Sequence, residues 1–193
     1  MHGESVQISG VEVFIIRDKP ISGSHWRMLV PSEKADNIWA AFVAAGTEYG
    51  LIPAGSLTYN ALRIRAGRPG AERELSTEYI PLEVGLWDEI SFTKGCYTGQ
   101  EIIARMESRG KLAKTIVRLR LQSMVEAPAP IRLDGREIGT LSSSVQTPNG
   151  DLLGIGVLKV AAALPGSHVA VAEGIDAEII ALAGVQPGET NSG

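Results

Sequence analysis

The sequence has little sulfur and little imidazole. Its 193 residues hold one cysteine, Cys96, and three histidines, His2, His25 and His168. A single thiol excludes an intrachain disulfide and a multi-thiolate metal centre built by this chain alone. The histidines lie far apart, with none of the short spacings that bring two imidazoles to one metal, so no histidine metal site is expected. No run of about 18 apolar residues is present to cross a bilayer, and the N-terminus lacks the basic-then-apolar pattern of a secretory leader. A cytoplasmic protein without membrane contact is the expectation. The net charge of −4 supplies no global basic field, so no direct nucleic-acid partner is expected either.

The composition that remains is that of a globular chain able to bury a core, with 44% hydrophobic and 21% charged residues. The length suits one large domain or two small ones. An apolar, β-branched run from Val6 to Ile16 is interrupted at Ser9-Gly10 and reads as two strands or one bent strand. Trp26 to Val30 reads as a short strand ending at Pro31. Ser32 is a good N-cap for a helix over about 33–45, with Ile38, Trp39, Phe42 and Val43 on a core-facing stripe and Gly46 as its stop. Leu51-Ile52-Pro53 reads as a short strand. Ser56 opens a second helix with Leu57, Ala61, Leu62 and Ile64 inward and Gly67 at its end. Arg63, Arg65 and Arg68 surround that end, either as a solvated cap on the negative helix terminus or as an anion site. From Pro69 to Phe92 the pattern loosens into an extended connection expected to pack across a domain junction.

After Lys111 the texture changes. Thr115 to Leu121 alternates, and β-like runs follow at about 130–133, 137–145, 152–159, 167–172 and 176–183, separated by turns such as Asp134-Gly135 and Pro165-Gly166. Short strands at this spacing predict a small antiparallel barrel or sandwich. Gly154 and Gly156 within one strand predict a bend or a close approach of two backbones. The polar tail from Gln186 is expected to be disordered.

Between these halves lies Lys94-Gly95-Cys96-Tyr97-Thr98-Gly99-Gln100-Glu101, which holds the one thiol between two glycines. Thr98 and Glu101 fit a capping box with Ile102 and Ile103 behind it, predicting a helix from Thr98 to about Ser108. Glu101 and Arg105 form an i, i+4 pair on it. A thiol just before a helix N-terminus, with Lys94 nearby, sits where thiolate is favoured, which suits a reactive or ligating sulfur. A small buried residue in a tight turn is the competing reading.

This K-G-C-Y-T-G-Q-E stretch, with Ala104-Arg105 and Arg109-Gly110 after it, resembles the signature of the YgfZ-type folate-binding proteins, relatives of the glycine cleavage aminomethyltransferase (T-protein). Leu62-Arg63-Ile64, Pro81-Leu82-Glu83, Ile90-Ser91-Phe92 and Ser142-Ser143 agree with it. The resemblance implies an α+β fold, with a partial ferredoxin-like folate-binding module followed by a C-terminal antiparallel β-barrel. The corresponding boundaries are 1–75 for the module, 76–110 for the connecting segment with the motif, 111–186 for the barrel and 187–193 for the tail. It also implies a tetrahydrofolate-linked role in assembly or repair of iron–sulfur enzymes, including those that modify tRNA. Cys96 would be the functional thiol, set by Lys94, Tyr97, Gly99, Gln100 and Glu101. Arg63, Glu83 and Arg105 are the candidate cofactor-binding residues, iron–sulfur client proteins the expected partners, and self-association a further expectation. T-proteins read differently at the motif and lack its cysteine; a transferase of that type, or a non-catalytic interaction module, are the alternatives.

Two departures from the family pattern stand out. Family members extend further at the N-terminus, so the stretch in which a T-protein carries its catalytic aspartate is expected to have no counterpart here. The usual R-x-E-x-G reads Arg63-Ile64-Arg65-Ala66-Gly67, which puts a cation that cannot accept a hydrogen bond where a pterin-binding carboxylate is expected. Two outcomes stay open: Glu83 supplies the carboxylate, or folate does not bind.

Overall fold

The computed structural model describes residues 3–19, 21, 23–109 and 112–184. The chain divides into two compact units, residues 1–62 and 63–193.

The first unit opens with a hairpin. Strand β1 (Gly3–Ile8) pairs antiparallel with β2 (Val11–Asp18), and β2 pairs with β3 (His25–Leu29), giving a three-stranded sheet in the order β1-β2-β3. The interruption at Ser9-Gly10 is a two-residue turn, with φ +50° and +75°, so the apolar run is two strands and not a bent one. Helix α1 (Ala35–Gly46) follows a single 3-10 turn at Ser32–Lys34, and the Ser32 hydroxyl makes no cap hydrogen bond to it. The α-helix ends at Gly46 as expected, but with right-handed backbone there (φ −78°). A further 3-10 turn carries the chain to Gly50, whose φ of +74° ends it. The stripe on α1 also differs from expectation: Ile38 is buried, whereas Trp39 is 56% and Phe42 40% exposed. A three-stranded sheet that itself buries only Val13 is too narrow to cover a whole helical stripe. Residues 51–53 form no strand. Pro53 has no N–H to donate, and the N–H of Leu51 is spent on Gly46 O at 2.9 Å. Helix α2 (Ser56–Arg65) starts at Ser56 as expected, but Leu57, in its first turn, is 83% exposed, and the buried part of the helix is its last turn.

That last turn belongs to the second unit, which is built around the barrel. After helix α3 (Gln100–Arg109), six strands close on themselves: β4 (Lys114–Leu121), β5 (Ala129–Leu133), β6 (Arg136–Gln146), β7 (Leu152–Lys159), β8 (His168–Val171) and β9 (Ile175–Leu182), in the order β4-β7-β6-β5-β8-β9. Closure leaves no strand edge unpaired, which removes the hazard an open sheet carries. Every run of alternating residues after Lys111 became a strand. Leu119, Ile131, Leu141, Leu158, Val171 and Ile179 fill the interior with essentially no exposure. Gly154 and Gly156 face that interior: a Cβ at Gly154 would stand 2.6 Å from Leu141 Cδ1, and one at Gly156 2.7 Å from Ile131 Cδ1. Their absent side chains make room for Leu141 and Ile131 and, at Gly154, for the close backbone of β6, since a Cβ there would also stand 3.1 Å from Ser143 O.

A second apolar cluster lies on the barrel's outside. Ile116, Ile155 and Val157 are buried against Ile64, at the end of α2, and Val84, in the 3-10 helix Pro81–Val84. Residues 63–86 are thus part of the barrel's own core. They are fastened by a contact that only glycine permits. Gly85 (φ +73°) and Gly184 (φ +65°) approach so closely that a Cβ on either would stand 2.6 Å from the other's Cα. Gly184 N–H donates to Gly67 O at 3.1 Å, tying the strand end to the turn after α2.

Gly85→Ala is expected to lose the roughly 1–2 kcal/mol of a left-handed alanine and a further penalty from the backbone clash. Gly150→Ala, also at positive φ but in open space, should lose only the first. Urea unfolding of the two variants measures the difference.

Candidate functional site

The motif forms an exposed loop that runs into α3. Cys96 is exposed, as are Lys94, Gly95, Thr98 and Glu101, while Tyr97 and Gln100 are half-buried. The turn is built from Ser91, whose hydroxyl accepts from Lys94 N–H at 3.1 Å, and from Tyr97, whose carbonyl accepts from Gln100 N–H at 3.2 Å. Lys94 Nζ lies 5.7 Å from the centre of the Tyr97 ring, a cation–π contact that holds both side chains on either side of the thiol in sequence. Ile103 is the buried anchor of α3. The expected capping box is not made: among the described residues the Thr98 hydroxyl and the Glu101 carboxylate form no hydrogen bond. Instead the helix begins at Gln100, and Gly99 O accepts from the N–H groups of Ile102 and Ile103 at 3.2 and 3.4 Å. Gly99 has φ +87°, so the glycine, not the threonine, sets the entry to the helix. Burial as a small residue in a tight turn is excluded for Cys96.

Of the residues nominated for a cofactor, Arg105 lies on the helix this loop enters, whereas Arg63 and Glu83 are buried in hydrogen bonds of their own. Arg63 is 6% exposed and faces inward. Its Nη1 donates to Glu74 Oε2 at 3.2 Å and to Arg68 O at 3.3 Å, and its Nη2 donates to Ser143 Oγ at 2.9 Å. It is neither a solvated cap nor an open anion site. Glu83 is 8% exposed, and its two oxygens accept from Ile80 N–H at 3.3 Å and from Lys114 N–H at 3.2 Å. This carboxylate caps its own 3-10 helix and ties it to the start of β4. Arg65 is exposed, and its carbonyl accepts from Arg118 Nη1 at 2.6 Å. Arg105 is exposed on α3. Tested against tetrahydrofolate, Arg63 and Glu83 do not fit, since both are buried and hydrogen-bonded internally, and of the three nominated residues only Arg105 is exposed. Among the described residues no group of three or more His, Cys, Asp and Glu side chains is placed to hold a metal, and no helix is long and apolar enough to cross a membrane.

One residue that the sequence did not single out holds this region together. Glu74 has no exposure and accepts four hydrogen bonds: from Gly70 N–H (2.8 Å) and Arg63 at Oε2, and from Ser142 (2.5 Å) and Ser143 (2.7 Å) at Oε1. Two consecutive residues of a strand normally point to opposite faces. Here the register of β6 against β7 shifts between Leu141 and Ser143, and that bulge lets both hydroxyls reach one carboxylate. A run of three serines, Ser142–Ser144, interrupting an alternating strand was the available signal.

Nearby, burial holds the Tyr79 phenol above the ordinary tyrosine range, reinforced by the charge of Glu78, while a hydrogen bond with Thr140 acts in the opposite direction. Lys114 Nζ lies 5.1 Å from the centre of its ring.

Comparisons with known proteins bear on the whole arrangement. Residues 1–94 match the family model described as the GCVT N-terminal domain. A chloroplastic protein of Arabidopsis thaliana, provisionally named a transferase, is 39% identical over 176 residues, covering 89% of this chain and 40% of that protein. An aminomethyltransferase of Thermoanaerobacter pseudethanolicus is 29% identical over 150 residues, covering 75% of this chain and 40% of the relative. Residues 1–94 are thus similar to the GCVT N-terminal domain. The fold of the chain agrees: the crystal structure of glycine cleavage system aminomethyltransferase T from Bartonella henselae superposes with a TM-score of 0.74 at 18% identity, covering 86% of this chain and 48% of that one. The chain therefore spans less than half the length of these relatives.

Three measurements follow from this geometry. Native protein should release a full equivalent of thionitrobenzoate from Ellman's reagent without denaturant; a thiol that reacts only in urea contradicts the exposed loop. Arg63→Ala leaves a buried carboxylate without its cation and should cost about 3–5 kcal/mol in urea unfolding. The raised Tyr79 makes the neutral phenol a stabilising group, in full below the unfolded value of about 10 and lost as pH rises through the folded value. Stability should therefore fall in that alkaline window, and Tyr79→Phe should remove that part of the fall.

Proposed function

We propose that this chain is a YgfZ-type factor that serves iron–sulfur enzymes, tRNA-modifying ones among them, through the thiol of Cys96. The observation that carries the reading is the contrast between that thiol and the carboxylates. Cys96 is exposed in a loop whose sequence resembles the YgfZ-type signature. The two buried carboxylates of the described residues, Glu74 and Glu83, are each filled by internal donors. Acid–base work on an amine needs a carboxylate free to exchange a proton with it. A thiol in water, by contrast, is open to attack, ligation or exchange as it stands. The tetrahydrofolate that the resemblance implies is not met by Arg63 or Glu83, so no step is routed through it.

The second reading is aminomethyl transfer to tetrahydrofolate, and the names of the relatives favour it. The two readings separate in one set of experiments. In cells dependent on this chain, Cys96→Ala should lose most of the iron–sulfur client activity while the purified variant keeps its melting temperature. A silent Cys96→Ala would sink the proposal. Anaerobic calorimetry of the chain with tetrahydrofolate should show no saturable binding. Saturable binding together with turnover in an assay coupled to lipoyl carrier protein would establish the transferase reading in its place.

A further inference from the structure

The second unit has a cleft of about 220 Å³ that none of the foregoing uses, lined by Glu72, Arg73, Ser76, Glu78, Tyr79, Pro128, Thr140 and Ser142. It lies between residues 72–79 and the barrel, beside Pro128 just ahead of β5 and over Thr140 and Ser142 in the middle of β6. Its floor is fixed. Ser142 Oγ is bound to Glu74 Oε1 and to Ile155 O. Groups held this way keep their orientation when a ligand arrives, which lowers the cost of binding.

The rim is unlike the floor. Glu72, Arg73 and Glu78 are exposed, carry both signs of charge, and form no ion pair among the described residues. Glu72 also sits at φ +59°, a left-handed backbone that a residue with a Cβ adopts at a cost and that is found preferentially at ligand clamps. The volume is below the range of about 300–1,000 Å³ typical of drug-sized ligands, so the occupant is small. A guanidinium recognises a carboxylate through two parallel hydrogen bonds, and two carboxylates suit an ammonium. The Tyr79 phenol carries a hydroxyl that can donate.

We propose that this cleft binds a small zwitterionic amino acid, with its carboxylate on Arg73 and the Tyr79 hydroxyl and its ammonium on Glu78 and Glu72. Opposite charges left unpaired around one opening are what a ligand carrying both signs would need. Rim charges that only meet water would not depend on one another for any ligand.

The test is calorimetric titration of the full chain with L-serine, with its deaminated counterpart L-glycerate, and with its decarboxylated counterpart ethanolamine. L-Serine should bind, and each counterpart should bind at least roughly tenfold more weakly. Arg73→Gln and Glu78→Gln should each weaken serine by a similar factor. Both side chains are exposed, so the variants should keep the parent's melting temperature, and Tyr79→Phe should weaken serine without abolishing it. Glycerate binding as tightly as serine, with Glu78→Gln silent, would make this an anion site and overturn the proposal. Ethanolamine binding as tightly, with Arg73→Gln silent, would make it a cation site and do the same. Absence of serine heat at millimolar concentration would overturn it outright.

Discussion

A carboxylate without access to water must find all its hydrogen bonds inside the protein, and the second unit is arranged around meeting that demand for Glu74. Four donors from three places converge on it: the guanidinium at the end of α2, the backbone N–H of Gly70, and two hydroxyls of β6. Each donor fixes something else. Arg63 anchors the last turn of α2, the bulge in β6 sets the register beyond Leu141, and Gly70 closes the turn ahead of the glutamate. No buried side-chain polar atom among the described residues lacks a partner. Such a network is stabilising only when complete, because any one missing donor leaves charge stranded in a low-dielectric interior.

The apolar packing follows the same frame. With Arg63 held, Ile64 falls onto Ile116 and Ile155, and the 3-10 helix that carries Val84 joins them. Glu83 then caps that helix and reaches the first N–H of β4, while the two facing glycines let the strand end pass the turn. The segment between α2 and the motif is therefore a built part of the barrel. Cys96, in contrast, sits in an exposed loop held by few hydrogen bonds, the kind of segment that can reach a partner.

The sequence made the barrel legible almost to the residue, because alternation with period two and Gly/Asn turns are local signals and all six strands obey them. It was less informative in the first unit. Ile38, Trp39 and Phe42 share one helical stripe, yet only Ile38 found a partner, since stripe width reflects composition and burial reflects what stands opposite. The capping box at Thr98 had the right spacing but was displaced by Gly99, whose left-handed backbone turned the chain into the helix one residue later. Arg63 and Glu83 were recognisable as unusual, but their role was misread. A guanidinium near a helix end and a glutamate after a proline look available in one dimension; their partners lie up to 80 residues away.

The chain's own order of residues determined the strand pattern of the barrel and the place of the single thiol at a glycine-flanked turn. These depend on neighbours within a few positions. Tertiary structure alone decided which charges are free. Burial and hydrogen bonding depend on distant segments meeting, so only the fold could assign Arg63 and Glu83 to the interior, gather Ser142 and Ser143 on Glu74, and leave Cys96 in water.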